Sequence, residues 1–303
     1  MIVPLFIGVI INTFFPELLN IGGLTTSLAK GSGALIGAFL VCMGAGINFR
    51  STALAVKKGI AVTLTKFLIG ALLGIGVATL FGDAGFFGLS ALAIISAVTN
   101  SNGGLYAALA GEFGDETDVG AIAVLSVNDG PFLTMVALGT AGLANLPLLP
   151  LLGVILPLLI GVVLGNLDQD LRQFLLQGGM ILIPFFAFAL GAGLNLRTII
   201  EAGLLGILLG IITTFFGGLF NILADRGVGG TGICGAAASS TAGNAVATPA
   251  AVALVDPSLT AIVNVATSQI AAAVVTTIIF TPILTQFISR TVKRKVNAPN
   301  DSR

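Results

Sequence analysis

Thr99-Asn100-Ser101-Asn102-Gly103-Gly104 interrupts one apolar segment of this chain, and Ser239-Ser240-Thr241-Ala242-Gly243-Asn244 interrupts another, about half a chain later. A second pair of stretches also repeats. Gly44-Ala45-Gly46-Ile47-Asn48-Phe49-Arg50 returns as Gly191-Ala192-Gly193-Leu194-Asn195-Leu196-Arg197. The glycine motif recurs at a spacing of 147, and the polar break at 140 when Gly103 is matched with Gly243. Matched interruptions in two membrane-embedded halves point to the binding site of a secondary transporter.

The composition agrees with burial in lipid. Hydrophobic residues make up 56% of the chain and charged residues 9%, against about 25% charged in soluble domains. Mean hydropathy is +1.08. The apolar runs are continuous rather than alternating, which disfavours a closed barrel, and the 41 glycines suit close helix approach. A formal net charge of zero gives no basic surface for nucleic acid. No histidine is present, so a proton carrier must be a carboxylate, a lysine or water. Cys42 and Cys234 both fall in apolar stretches and read as small hydrophobes, with no metal site expected. Met1 opens directly on apolar residues, so no cleavable leader is expected.

About ten spans are legible: 2–15, 33–48, 59–81, 85–111, 119–142, 148–165, 176–194, 199–223, 231–254 and 258–288. The fourth and ninth are broken. An all-α polytopic protein follows, with residues 1–145 as a first five-span repeat and 146–290 as a second. Residues 291–303 form a basic cytoplasmic tail. An odd number of spans per half inserts the two halves with opposite orientation. Charge placement agrees: with both termini inside, ten lysines and arginines face the cytoplasm, while Lys30 and Arg197 lie opposite.

Non-helical backbone at membrane depth survives only in protein or along a watered cavity. The broken segments are therefore candidate binding elements, since a half-helix start offers free N–H groups to a carboxylate. The candidate substrate residues are Thr99, Asn100, Ser101, Asn102, Gly103, Ser239, Ser240, Thr241 and Asn244. Asp129 lies mid-way along the fifth span, and an intramembrane carboxylate is a functional candidate by default. It is read as the coupling-proton carrier or part of a cation site. At the 140 spacing Asn128-Asp129 falls opposite Ser268-Gln269, so Asn128, Thr267, Ser268 and Gln269 complete the coupling set. Lys66, about two turns into its span, reads as snorkelling to the cytoplasmic interface. Glu112, Asp115, Glu116 and Asp118 read as a solvated loop, and Tyr106 as either cavity lining or packing. A lone Asp129 without histidine argues against an intramembrane enzyme, and no phosphate loop or nucleophile elbow is present.

Asn100-Ser101-Asn102-Gly103-Gly104-Leu105-Tyr106-Ala107 resembles the fourth-span signature of the bacterial 2-keto-3-deoxygluconate permeases. Residues 183–191, 164–168, 204–210 and 237–249 are similar to the same family. The resemblance implies a ten-span inner-membrane carrier that imports 2-keto-3-deoxygluconate, a sugar-acid anion, together with protons. Through the wider superfamily, which includes the bile-acid sodium symporters, it also implies a panel domain (spans 1, 2, 6 and 7). Beside it stands a core domain in which the two broken helices cross. A proton and a sugar acid are then the expected partners, with no cofactor. A sodium-coupled carrier of another organic anion is the alternative.

Overall fold

The computed structural model describes residues 2–46, 53–128, 130–145, 148–193 and 196–296. Among these residues the chain is helical and forms no sheet; Phe86 and Leu89 make an isolated bridge. In the first half the helices are α1 (Ile2–Phe14), α2 (Gly23–Lys30), α3 (Ser32–Gly44), α4 (Ala53–Phe81), α5 (Ala91–Thr99), α6 (Gly103–Phe113), α7 (Glu116–Gly120), α8 (Ile122–Leu125) and α9 (Phe132–Thr140). The second half contains α10 (Leu148–Leu167), α11 (Gln169–Gly191), α12 (Leu196–Ile211), α13 (Gly218–Gly227), α14 (Ile233–Ala237), α15 (Thr248–Val255) and α16 (Thr260–Val296). A π-helical turn, Ile212–Gly217, joins α12 to α13.

Among the described residues four helical stretches are long and apolar enough to cross a bilayer unaided: Ala53–Phe81, Gln169–Gly191, Gly203–Gly227 and Pro257–Lys293. Helices α2 and α3, bent by 64°, would add a fifth. The remaining apolar helices are shorter or come in broken pairs. Ser90 caps α5 by accepting from the Ala93 amide, and Asn102 caps α6 by accepting from Leu105. The fifth expected span, 119–142, is not one helix. It divides into α7, α8, a 3-10 turn at Ser126–Asn128, and α9. Pro131 has no N–H and disfavours a helical residue before it, and Gly130 stands at φ +153°.

The helices sort into two packed groups. In one, α1 lies on α11 and α10 on α3; in the other, α4 packs on α5 and α13, and α12 runs along α16. Glycines set the spacing in the first group. A Cβ on Gly44 would come within 2.2 Å of the Leu158 carbonyl oxygen, and one on Gly161 within 1.9 Å of that of Val41. The same arrangement recurs where Gly191 meets the Leu5 carbonyl (2.0 Å) and Gly8 that of Phe188 (2.5 Å). Backbones this close gain dispersion and weak C–H contacts that apolar lipid cannot supply. Large apolar side chains such as Leu72, Leu156, Leu204 and Phe287 point outward and exposed, as a lipid-facing surface requires.

Gly161→Val should therefore destabilise the fold by about 1–3 kcal/mol through overpacking. Gly76→Ala, with open space around it, should be neutral or mildly stabilising. Thermal melting of the purified protein in detergent checks both, and equal melting temperatures would refute the close-packing account.

Candidate functional site

The two sequence breaks meet. After α5 the chain runs extended through Asn100 to Asn102, and after α14 it is non-helical until a 3-10 turn, Gly243–Ala247, leads into α15. The Ser101 hydroxyl donates to the Ala238 carbonyl (3.1 Å), and the Thr241 hydroxyl donates to the Ala97 carbonyl (3.1 Å). The Asn102 N–H donates to the Ser240 hydroxyl (3.1 Å). Each break thus supplies the other with the partners that its lost helical turn removes.

A second ring braces these contacts. The Asn100 amide donates to the Ser96 carbonyl (2.8 Å) and accepts from the Gly130 N–H (3.0 Å). The Thr99 hydroxyl lies 3.1 Å from that of Thr134. From α16, the Thr281 hydroxyl donates to the Ser239 carbonyl (2.8 Å) and the Thr277 hydroxyl accepts from the Thr241 N–H (3.1 Å). Asn221 donates to the Ser239 hydroxyl. The Asn128 side chain donates to Ser101 (3.4 Å), while its buried carbonyl oxygen has no partner among the described residues.

The candidate substrate residues therefore divide. Thr99, Asn100, Ser101, Ser239, Ser240 and Thr241 are buried and engaged in the crossing. Asn102, Gly103 and Asn244, with Gly104 and Gly243, instead line a cavity of about 430 Å³. Its opposite wall is Phe39 and Met43 of α3 and Met180, Ile183 and Pro184 of α11, so it lies on the seam between the two helix groups. Both amide atoms of Asn244 are buried and have no partner among the described residues. The first turn of α6 opens onto the same space and favours negative charge.

Asn244 also borders a constriction of about 10 Å³ between Phe39, Leu40, Pro131 and Phe186. Phe39 and Phe186 stand 5.1 Å apart between ring centres. Beyond it, Leu40 and Pro131 line a second cavity on the seam, of about 520 Å³, with Lys30 among its walls. A further cavity of about 390 Å³, between α1, α12 and α16, is almost wholly apolar in its lining and suits an acyl chain better than a sugar acid.

The expected coupling residues are not brought together at the crossing. Asp129 lies outside the described residues. The Ser268 hydroxyl bonds the Asn264 carbonyl of its own helix and borders the apolar cavity, and Gln269 donates to the Gly88 carbonyl (2.9 Å). Thr267 is buried, and its hydroxyl has no partner among the described residues. These three precede Thr277 by eight to ten residues of α16, about 12–15 Å along a helix. The reason is register. Thr134 meets the first break at Thr99 as Thr281 meets the second at Ser239, and Gly130 meets Asn100 as Thr277 meets Thr241; the break residues are 140 or 141 apart, but the bracing positions 134 and 281, and 130 and 277, are 147 apart. Asn128-Asp129 thus stands opposite Val275-Thr276.

Two charged groups depart from their expected settings. Lys66 does not snorkel: its side chain is 1% exposed and its ammonium donates to the Ser240 carbonyl at 3.2 Å. Asp118 is not solvated either. It is buried against the Lys58 ammonium at 2.7 Å, and Lys58 also donates to the Thr117 hydroxyl. Tyr106 donates to the Asp118 carbonyl and to Cys234 Sγ, so it packs rather than lines the cavity. Asp118, Asp225 and Cys234 bring possible ligand atoms within 4.8 Å of one another, but the Lys58 ammonium already occupies Asp118. In the loop, burial alone would raise the Asp115 carboxyl. Hydrogen bonds from the Thr117 hydroxyl and the Asp118 backbone, with the Lys58 charge, outweigh it and hold Asp115 below the ordinary carboxylate range.

Residues 1–294 match the family described as KdgT, 2-keto-3-deoxygluconate permease. The chain is 60% identical to the 2-keto-3-deoxygluconate permease 1 of Salmonella typhimurium, over 98% of this chain and 94% of that one. It is 43% identical to the 2-keto-3-deoxygluconate permease of Bacillus subtilis, over 97% and 92%. The sodium proton antiporter MjNhaP1 from Methanocaldococcus jannaschii superposes with a TM-score of 0.64 at 14% identity, covering 98% of this chain and 92% of that one. That likeness is one of fold.

Ser101→Ala and Thr241→Ala should each lower stability by about 1–3 kcal/mol, by leaving a buried carbonyl unpaired. Asn244→Ala should leave the melting temperature unchanged or raise it. A melting series on the three variants checks the division; a large loss for Asn244→Ala would place its amide in the scaffold.

Proposed function

This chain belongs to the 2-keto-3-deoxygluconate permease family, and from that premise we propose that it imports 2-keto-3-deoxygluconate by proton symport with alternating access. It is a membrane transporter rather than an enzyme, as the family and its relatives are. In this reading the protein crosses the inner membrane about ten times in two inverted repeats, 1–145 and 146–290, with both termini cytoplasmic. The reciprocal glycine contacts of α1 with α11 and α3 with α10 support that arrangement. So do the reciprocal hydroxyl contacts of Ser101 and Thr241. The helices α1, α2, α3, α10 and α11 act as the panel and the rest as the core.

One observation carries the substrate assignment. The cavity at the seam joins residues of both breaks, and it holds in Asn244 an amide whose donor and acceptor groups have no partner among the described residues. The substrate carboxylate sits at the first turn of α6, beside Gly103 and Gly104, while its hydroxyls bond Asn102 and Asn244. The buried residues behind them, Thr99 to Ser101 and Ser239 to Thr241, fix the geometry. Phe39 and Phe186 separate this cavity from the one at Lys30, and motion of the core against the panel would open one side and close the other. Asp129 carries the coupling proton, with Asn128 beside it.

Uptake of radiolabelled 2-keto-3-deoxygluconate into proteoliposomes under an imposed proton gradient tests this reading. Asn244→Ala should raise KM about three- to tenfold, the loss expected for a neutral hydrogen bond to a substrate hydroxyl. Asp129→Asn should abolish accumulation while leaving exchange. Wild-type uptake indifferent to the proton gradient would refute the coupling, and an unchanged KM in Asn244→Ala would refute the site.

A further inference from the structure

Lys66 is the charged side chain that the described residues place within the crossing, and the mechanism above gives it no task. Its ammonium touches none of the three large cavities. It meets the carbonyl of Ser240, whose hydroxyl receives the Asn102 N–H, so the charge sits at the junction of the two breaks. The neighbouring carbonyls are already taken: Ala238 by the Ser101 hydroxyl and Ser239 by Thr281. The Ser240 carbonyl, next in the break, is the one that meets the ammonium. Carbonyl and hydroxyl oxygens are the ligands that hard cations select.

The ammonium is also held in place. One turn on from Lys66, a Cβ on Gly70 would lie 2.7 Å from Thr99 Cγ2, so α4 is pressed against the first break and carries Lys66 with it. At the 147 spacing the other half has Thr213, whose hydroxyl bonds its own helix at the Leu209 carbonyl. The crossing thus receives this charge from one half alone. A buried intramembrane charge is costly and calls for a role.

We propose that the Lys66 ammonium is the resident cation of the crossing, filling the seat that a coupling metal ion would need, so that the carrier runs without sodium. The inference deepens the transport reading and rests on it. Proton-driven uptake of 2-keto-3-deoxygluconate by the reconstituted wild-type chain should be the same with sodium or choline as the bulk cation. Its melting temperature in detergent should likewise ignore that exchange.

Lys66→Ala removes the ammonium and the three methylenes that carry it, and opens a hole beside Ser240. It should lose at least about tenfold in uptake rate in choline, with partial recovery on adding sodium or methylammonium, a recovery that a merely structural lysine would not give. Sodium-stimulated uptake or sodium-stabilised melting of the wild type overturns the proposal, and needs no variant that folds. So does a Lys66→Ala protein with full uptake in choline, or a folded one that no small cation revives. A wild type that takes up no substrate under any gradient would instead remove the transport reading itself.

Discussion

Hydrogen bonds lost where a helix stops inside a bilayer must be replaced from protein, because the hydrocarbon offers none. This chain meets that constraint twice with one arrangement. The Ser101 and Thr241 hydroxyls each cover a carbonyl belonging to the opposite segment, and the Asn102 N–H finds the Ser240 hydroxyl. Each break draws hydrogen-bond partners from the other. Thr134, Thr277 and Thr281 from neighbouring helices then fix the pair. The result is a rigid polar centre in an otherwise apolar bundle, and residues just beyond it are free to face a ligand.

The remaining architecture positions that centre. Helices α1, α3, α10 and α11 approach through glycine at Gly8, Gly44, Gly161 and Gly191, and form a compact group of their own. Against it lies the group that carries the crossing. Two polar-edged cavities occupy the seam, one at Asn102 and Asn244 and one at Lys30, divided by Phe39 and Phe186. Asn244 borders both the larger space and the constriction. The proposed motion of one group against the other would use this arrangement, with Asn244 at the divide.

Much of this was legible in the sequence because the chemistry is local. Asn, Ser, Thr and Gly are poor helix formers and good caps, so the breaks at 99–104 and 239–244 announce themselves, and the structure brings them into contact. What failed was register and depth. Ser268 and Gln269 were paired with Asn128 and Asp129 by one spacing, whereas hydrogen bonds at Thr134 and Thr281 follow the other. The slip arises because the second half is seven residues shorter before its break and regains those seven between the break and its last helix, so the spacing runs 147, 140 and 147 again. Lys66 reads as snorkelling on distance along its helix, but a helix packed against a break by Gly70 turns that side chain inward. Asp118 looked like one acid among several in a loop. Its burial depends on Lys58, which lies on another helix and is invisible to local reading.

The central claim is that two mutually capped breaks hold a sugar-acid site on the seam between the helix groups. An experimental structure with 2-keto-3-deoxygluconate bound tests it most directly. Ligand density should lie in the cavity between Asn102, Asn244, Phe39 and Met180, with both asparagines in hydrogen-bond contact. Density confined to the apolar cavity at Ile207 and Phe280, or an unbroken helix through residues 99–104, would contradict it.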